Sequence, residues 1–153
     1  MTSFPIRAVI IDDEPPARKK IRRFLATEPR IEIVGEAADG AEALEVIRST
    51  HPDLLFLDIQ MPVQNGFEVL QAIQPLRPWI IFTTAYDQYA LQAFAVRALD
   101  YLLKPFDENR FQEALARVLD ADREEAAGLQ RKIESLLSEW HALQAAFPER
   151  TLI

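Results

Sequence analysis

The sequence predicts an α/β fold: a doubly wound, five-stranded parallel sheet with helices on both faces and an extended C-terminal helix. Three observations carry that prediction. Leu54 to Leu57 is an unbroken apolar run, as suits a strand buried on both faces. Short apolar runs of this kind alternate five times along the chain with amphipathic stretches. The connections are short and carry turn and cap signals, among them Asp39-Gly40 and Asn65-Gly66. For a chain of this pattern the strand order 2-1-3-4-5 is expected, with ligands bound in the crevice beyond the carboxyl ends of the strands.

Taken in order, Ile6 to Ile11 reads as a buried strand that stops at Asp12-Asp13-Glu14. Pro15 and Pro16 then open a helix, where proline is tolerated and acids favour the positive end. Helix capping explains one acid well and three poorly, since like charges this close repel unless a cation or a network compensates them. Ala17, Ile21, Phe24 and Leu25 give the helix its apolar stripe. Arg18, Lys19, Lys20, Arg22 and Arg23 fill the other positions, first as a solvated basic face, second as a docking surface for an acidic or phosphorylated partner, and a distant third as a nucleic-acid contact.

Ile31 to Ala37 is a second strand, followed by a helix over Ala41 to Ser49. The central strand ends in Asp58, with Pro62 closing off regular structure soon after. A third helix runs from about Phe67 to Ile73, and Trp79 to Thr83 forms a fourth strand with Thr84 at its carboxyl end. A fourth helix covers about Gln88 to Val96, and Tyr101 to Leu103 is a short fifth strand entering Lys104-Pro105. The fifth helix starts near Asp107 and docks through Phe111, Leu115 and Val118.

Asp122 and Glu125 then interrupt that stripe, which returns as Leu129, Ile133, Leu136, Trp140, Leu143 and Phe147. The spacing alternates four and three, a heptad a/d pattern of about two and a half heptads. Gly128 weakens its beginning. Residues 121–147 are therefore read as a helical linker that pairs with a second copy as a coiled coil; the alternative is a helix packed back on its own domain or on a missing neighbour.

The bulk properties bound the function. Hydrophobic residues make up 49% and charged ones 27% of 153, enough to bury a real core. The net charge of −7 argues against a nucleic-acid surface spread over the domain. With no cysteine, disulfides, thiolate zinc sites and cysteine nucleophiles are excluded. No run approaches a membrane span and the first residues do not begin a signal peptide, so a cytoplasmic location is expected.

In a parallel sheet the acids after the first strand, Asp58, Thr84 and Lys104 all open on one crevice. Paired carboxylates make a hard oxygen site suited to Mg²⁺. Lys104 supplies a point charge for a phosphoryl oxygen, Thr84 a hydroxyl donor, and Asp58 a carboxylate nucleophile.

These pieces carry a resemblance. Val9-Ile10-Ile11-Asp12-Asp13-Glu14, Leu57-Asp58-Ile59-Gln60-Met61-Pro62 with Gly66, Thr84-Ala85 and Lys104-Pro105-Phe106 occur in order at suitable spacing. Over residues 5 to about 120 the chain resembles a two-component response regulator receiver domain, a flavodoxin-like fold. The stretches Thr84-Ala85-Tyr86-Asp87-Gln88-Tyr89-Ala90 and Ala98-Leu99-Asp100-Tyr101-Leu102-Leu103-Lys104-Pro105 are similar to the LytR/AlgR branch, whose members carry a C-terminal LytTR DNA-binding domain. The resemblance implies that Asp58 accepts a phosphoryl group from a histidine kinase. It implies that Asp13, Asp58 and the main-chain carbonyl of Gln60 bind Mg²⁺ directly, with Asp12 acting through water. Lys104 would pair with Asp58 before phosphorylation and with the phosphoryl group afterwards, while Thr84 and then Tyr101 move inward and change dimerisation. The basic first helix would meet the kinase. DNA would be bound only through a C-terminal domain that residues 148–153 begin.

Two other readings stand beside this one: a free-standing receiver that relays phosphate or binds a partner, and an aspartyl-phosphate phosphatase. The phosphatase needs a second acid two residues after the nucleophile, and Gln60 holds that place. The expected chemistry is self-phosphorylation and slow hydrolysis, without an external product. Tyr86 and Tyr89 fit either an output face or ordinary packing, and His51 and His141 stand alone in sequence.

Overall fold

A computed structural model describes residues 5–86 and 98–146. The strands are β1 (Ile6–Ile11), β2 (Ile31–Ala37), β3 (Leu54–Asp58), β4 (Trp79–Thr84) and β5 (Asp100–Leu103). They form one sheet in the order β2-β1-β3-β4-β5, with every pairing parallel. This is the flavodoxin-like order the sequence predicts. The helices are α1 (Pro15–Leu25), α2 (Gly40–Thr50), α3 (Gly66–Ala72) and α4 (Glu108–Ala146). The helix expected over 88–96, Tyr89, Phe147 and the segment 148–153 lie outside the described residues.

β3 sits at the centre of the sheet because each of Leu54, Leu55, Phe56 and Leu57 is fully buried. Alternate side chains feed two layers. On one face Val9, Ile11, Leu55, Leu57, Ile80 and Phe82 pack with Ala43 and Ile47 of α2 and Val69 of α3. On the other, Phe56 stacks on Phe111 with ring centroids 5.5 Å apart, and Phe24 of α1 meets the same ring at 5.2 Å. Burial of Phe111, Leu115 and Val118 matches the docking stripe expected of the fifth helix.

The caps explain where the helices begin. Asp39 accepts the Glu42 N–H at 2.8 Å, and Asn65 and Glu68 form a reciprocal capping box. Each shifts its helix start one residue earlier than the apolar periodicity alone suggests. Among the described residues no helix is long and apolar enough to cross a membrane.

The chain divides into two compact units between Val118 and Leu119. In the second unit, Leu129, Ile133, Leu136, Trp140 and Leu143 are all exposed, between 44% and 60%. Leu137 beside them is exposed as well, widening the apolar stripe beyond the heptad positions.

Candidate functional site

Parallel pairing brings the ends of β1, β3, β4 and β5 level, and the polar residues that follow them meet there. Asp58 pairs with Thr83 at the last rung of β3 and β4, and Thr84 with Leu103 at the last rung of β4 and β5. Lys104 follows at once, its N–H donating to the Thr84 carbonyl at 2.7 Å.

Helix capping does not account for the acids after β1. Glu14 occupies the N-cap of α1 but makes no side-chain cap hydrogen bond. The first helical positions are prolines without an N–H, and the Ala17 N–H is already bonded to the Glu14 carbonyl at 3.0 Å. The side chains turn elsewhere. Carboxylate oxygens of Asp12, Asp13, Glu14 and Asp58 all lie within 4.8 Å of one another. Asp12 and Asp58 are buried, while Asp13 and Glu14 are exposed.

One ammonium sits among these acids. Lys104 Nζ lies 2.8 Å from Asp12 Oδ2, 3.2 Å from Glu14 Oε1 and 3.5 Å from Asp58 Oδ2. Asp12 is thus the nearest partner, and the contact with Asp58 that the resemblance implies is present beside it as a longer ion pair. Burial opposes the Lys104 charge, but the contacts with Asp12, Asp58 and Glu14 outweigh it and hold the ammonium above its ordinary value. Burial pushes the Asp58 carboxyl up to about 7, helped by the Asp12 charge and opposed by Lys104 and by the Gln60 N–H, which donates to Asp58 Oδ1 at 3.2 Å.

The donor set favours a hard divalent cation. It contains only oxygens, and one ammonium faces four carboxylates. Asp12 Oδ1 accepts the Glu14 N–H at 2.9 Å, and its buried Oδ2 is met among the described residues by the Lys104 ammonium at 2.8 Å. Beside the acids is an open depression lined by Asp13, Ile59, Gln60, Met61, Pro62 and Asn65. Such a site suits Mg²⁺ or Ca²⁺ and not a thiophilic metal.

Loop geometry holds the floor of the site. The Gly66 N–H donates to the Ile59 carbonyl at 2.9 Å, and a Cβ on Gly66 would stand 2.8 Å from the Asp58 carbonyl oxygen. The close approach requires glycine. Thr84 is buried, and its hydroxyl accepts the Tyr86 N–H at 3.2 Å. The Tyr101 hydroxyl donates to the Tyr86 carbonyl, and the Tyr101 carbonyl accepts from Arg110 Nη2 at 3.1 Å. Tyr86 itself is exposed. His51 adopts a left-handed conformation at the end of α2, away from the acids.

Sequence reasoning placed Asp12, Asp13, Asp58, Gln60, Thr84 and Lys104 at one end of the sheet, and the structure brings them together there. It missed Glu14 as a partner of Lys104, although Glu14 belonged to the acid run. The basic helix face is also less free than its composition suggests. Arg18 and Arg22 both pair with Glu36 of β2, and Lys20 lies over the Phe106 ring at 4.5 Å.

The family model described as the response regulator receiver domain matches residues 8–116. Transcriptional regulatory protein BtsR of Escherichia coli K12 is 48% identical over 114 residues, covering 74% of this chain and 48% of BtsR. Sensory transduction protein LytT of Bacillus cereus is 46% identical over 114 residues, covering 73% of this chain and 46% of LytT. The chain spans about half the length of the curated relatives it matches. Among solved structures, the response regulatory domain of mrkE from Klebsiella pneumoniae superposes with a TM-score of 0.72 at 32% identity, covering 77% of this chain and 98% of that one.

Proposed function

Because the chain belongs to the response regulator receiver domain family, we propose that it is a phosphoryl-accepting switch that uses Asp58 as its acceptor. The observation that carries this reading is the acid cluster itself: a buried carboxylate at the end of the central strand, three neighbouring acids and one lysine. A carboxylate oxygen of Asp58 attacks the phosphorus of a histidine kinase's phosphohistidine. The P–N bond breaks, and the imidazole leaves as the phosphoryl group moves to aspartate.

Asp13, Asp58 and the Gln60 main-chain carbonyl would hold Mg²⁺, and Asp12 would act through water. When bound, Mg²⁺ supplies positive charge for the phosphoryl oxygens and aligns them with the nucleophile. Lys104 turns from Asp12 to a phosphoryl oxygen, a short move for a flexible ammonium already 3.5 Å from Asp58. The Thr84 hydroxyl leaves the Tyr86 N–H to donate to another oxygen, and the Tyr101 ring follows it inward from its bond to the Tyr86 carbonyl. Phosphorylation thereby favours one of two pre-existing arrangements of this edge of the sheet. The protein carries out its own phosphorylation and slow hydrolysis and releases no other product.

The output we infer is transcriptional. BtsR and LytT are named as a transcriptional regulator and a sensory transduction protein, and the likeness to both supports control of a LytTR-type DNA-binding effector. Residues 121–147 act as the linker, and the exposed stripe from Leu129 to Leu143 supports pairing with a second copy.

The test is intact mass and light scattering on one sample with Mg²⁺, before and after acetyl phosphate. A gain of one phosphoryl group (~80 Da) that is absent in Asp58→Asn is expected. Equal labelling of Asp58→Asn would remove Asp58 as the acceptor.

A further inference from the structure

Arg18 stands one turn into α1, directly after the acid loop, and its side chain is only 20% exposed. Its Nη1 donates to the main-chain carbonyl of Asp12 at 2.6 Å. Its Nε meets Glu36 Oε1 at 3.3 Å, while Arg22 Nε donates to the other oxygen of Glu36 at 2.8 Å. On the opposite side of the same residue, the Asp12 N–H donates to the Ala37 carbonyl at 3.0 Å. Both main-chain polar groups of Asp12 are therefore tied to β2, one directly and one through Arg18 and Glu36.

We propose that Arg18, braced by Glu36, is a positioning residue for the divalent cation site. Fixing the Asp12 carbonyl fixes the plane of the peptide joining Asp12 to Asp13, and with it the direction in which the exposed Asp13 carboxylate leaves the backbone. This inference rests on the reading of the acid cluster as a Mg²⁺ site.

Two effects of Arg18 oppose each other, and their signs differ. A guanidinium beside the acids repels a second cation, so its charge alone weakens Mg²⁺ binding. Its hydrogen bond holds a ligand in place, which strengthens binding. Glu36 offsets the charge without disturbing the hydrogen bond, so positioning prevails. Removing Arg18 then weakens Mg²⁺ binding, whereas a purely electrostatic role would make binding tighter.

The experiment is calorimetric titration of the whole chain with Mg²⁺, alongside thermal unfolding in EDTA. Arg18→Ala is expected to lose about tenfold in Mg²⁺ affinity. Glu36→Gln moves in the same direction by less, and the double variant binds no more weakly than Arg18→Ala, because both act through one contact. The rate of labelling by acetyl phosphate in Arg18→Ala recovers at saturating Mg²⁺, while the half-saturating Mg²⁺ concentration rises. Unchanged or tighter Mg²⁺ binding by Arg18→Ala, beside a wild type that binds, overturns the proposal. A wild type that binds no Mg²⁺ instead removes the cation site on which it rests. Should Arg18→Ala fail to fold, unchanged affinity in Glu36→Gln overturns it equally.

Discussion

The Lys104 ammonium lies 2.8 Å from the buried Asp12 carboxylate and 3.5 Å from Asp58, so the lysine leans on the neighbour of the acceptor more than on the acceptor. Lys104→Met would leave Asp12 buried without its compensating charge. Breaking a buried pair in this way costs on the order of 3 kcal/mol. The same change removes one of the two influences that hold the Asp58 carboxyl down, leaving the Gln60 N–H alone, so that group moves higher. Urea unfolding in EDTA should show the loss, and Mg²⁺ should restore part of it by supplying the missing positive charge. Equal stability of the two proteins in EDTA would mean that solvent, not Lys104, compensates Asp12.

Asp58 should make the fold sensitive to pH. Its carboxyl is raised from 3.8 to about 7, first by burial and then by the Asp12 charge. The folded state therefore favours the protonated acid. That contribution to stability is complete below about pH 4 and is lost as pH rises through about 7. In EDTA, wild type should lose stability between pH 5 and pH 8 relative to Asp58→Asn, which carries no charge to bury. Parallel pH profiles for the two proteins would contradict a raised carboxyl at this position.

Gly66→Ala tests how tightly the loop after β3 is packed. The added methyl would stand 2.8 Å from the Asp58 carbonyl oxygen and 3.2 Å from Leu57 Cγ. The backbone cannot retreat without loosening the Gly66 N–H bond to Ile59. Alanine gains about 1 kcal/mol in helix propensity, but overpacking of this kind costs about 1–3 kcal/mol, and here it falls on backbone atoms that do not give way. A net loss of about 1 kcal/mol in urea unfolding is expected, with slower labelling by acetyl phosphate because the Asp58 main chain moves.

Much of this site could be read from the chain because its parts are local signals at strand ends. Leu54 to Leu57 announces a strand buried on both faces, and Asp58 is the next residue. Asn65-Gly66 marks the turn into α3, although the reciprocal bonds of Asn65 with Glu68 emerge only in the structure. What stayed hidden are contacts between distant segments. Arg18 and Arg22 look like part of a solvated basic face until β2 brings Glu36 against them. The preference of Lys104 for Asp12 over Asp58 is likewise a matter of less than an ångström between two acids of the same type. Periodicity carries no information on that scale.

The stripe on the second unit yields the last prediction. Leu129, Ile133, Leu136, Trp140 and Leu143 are exposed at heptad spacing, an apolar stripe of the kind that marks an interaction surface. If that stripe pairs two copies, Leu136→Glu places a charge in the middle of the seam and should shift the protein toward monomer in light scattering. Ser138→Glu, two residues on and outside the seam, should leave the mass unchanged. Trp140 supplies an independent signal in a Trp79→Phe background, where it is the remaining tryptophan. Its emission should move to the red in Leu136→Glu, because the ring passes from a covered seam to water. Were Leu136→Glu to leave both mass and emission at wild-type values, the stripe would not be the contact that joins two copies, and any dimer would form elsewhere on the chain.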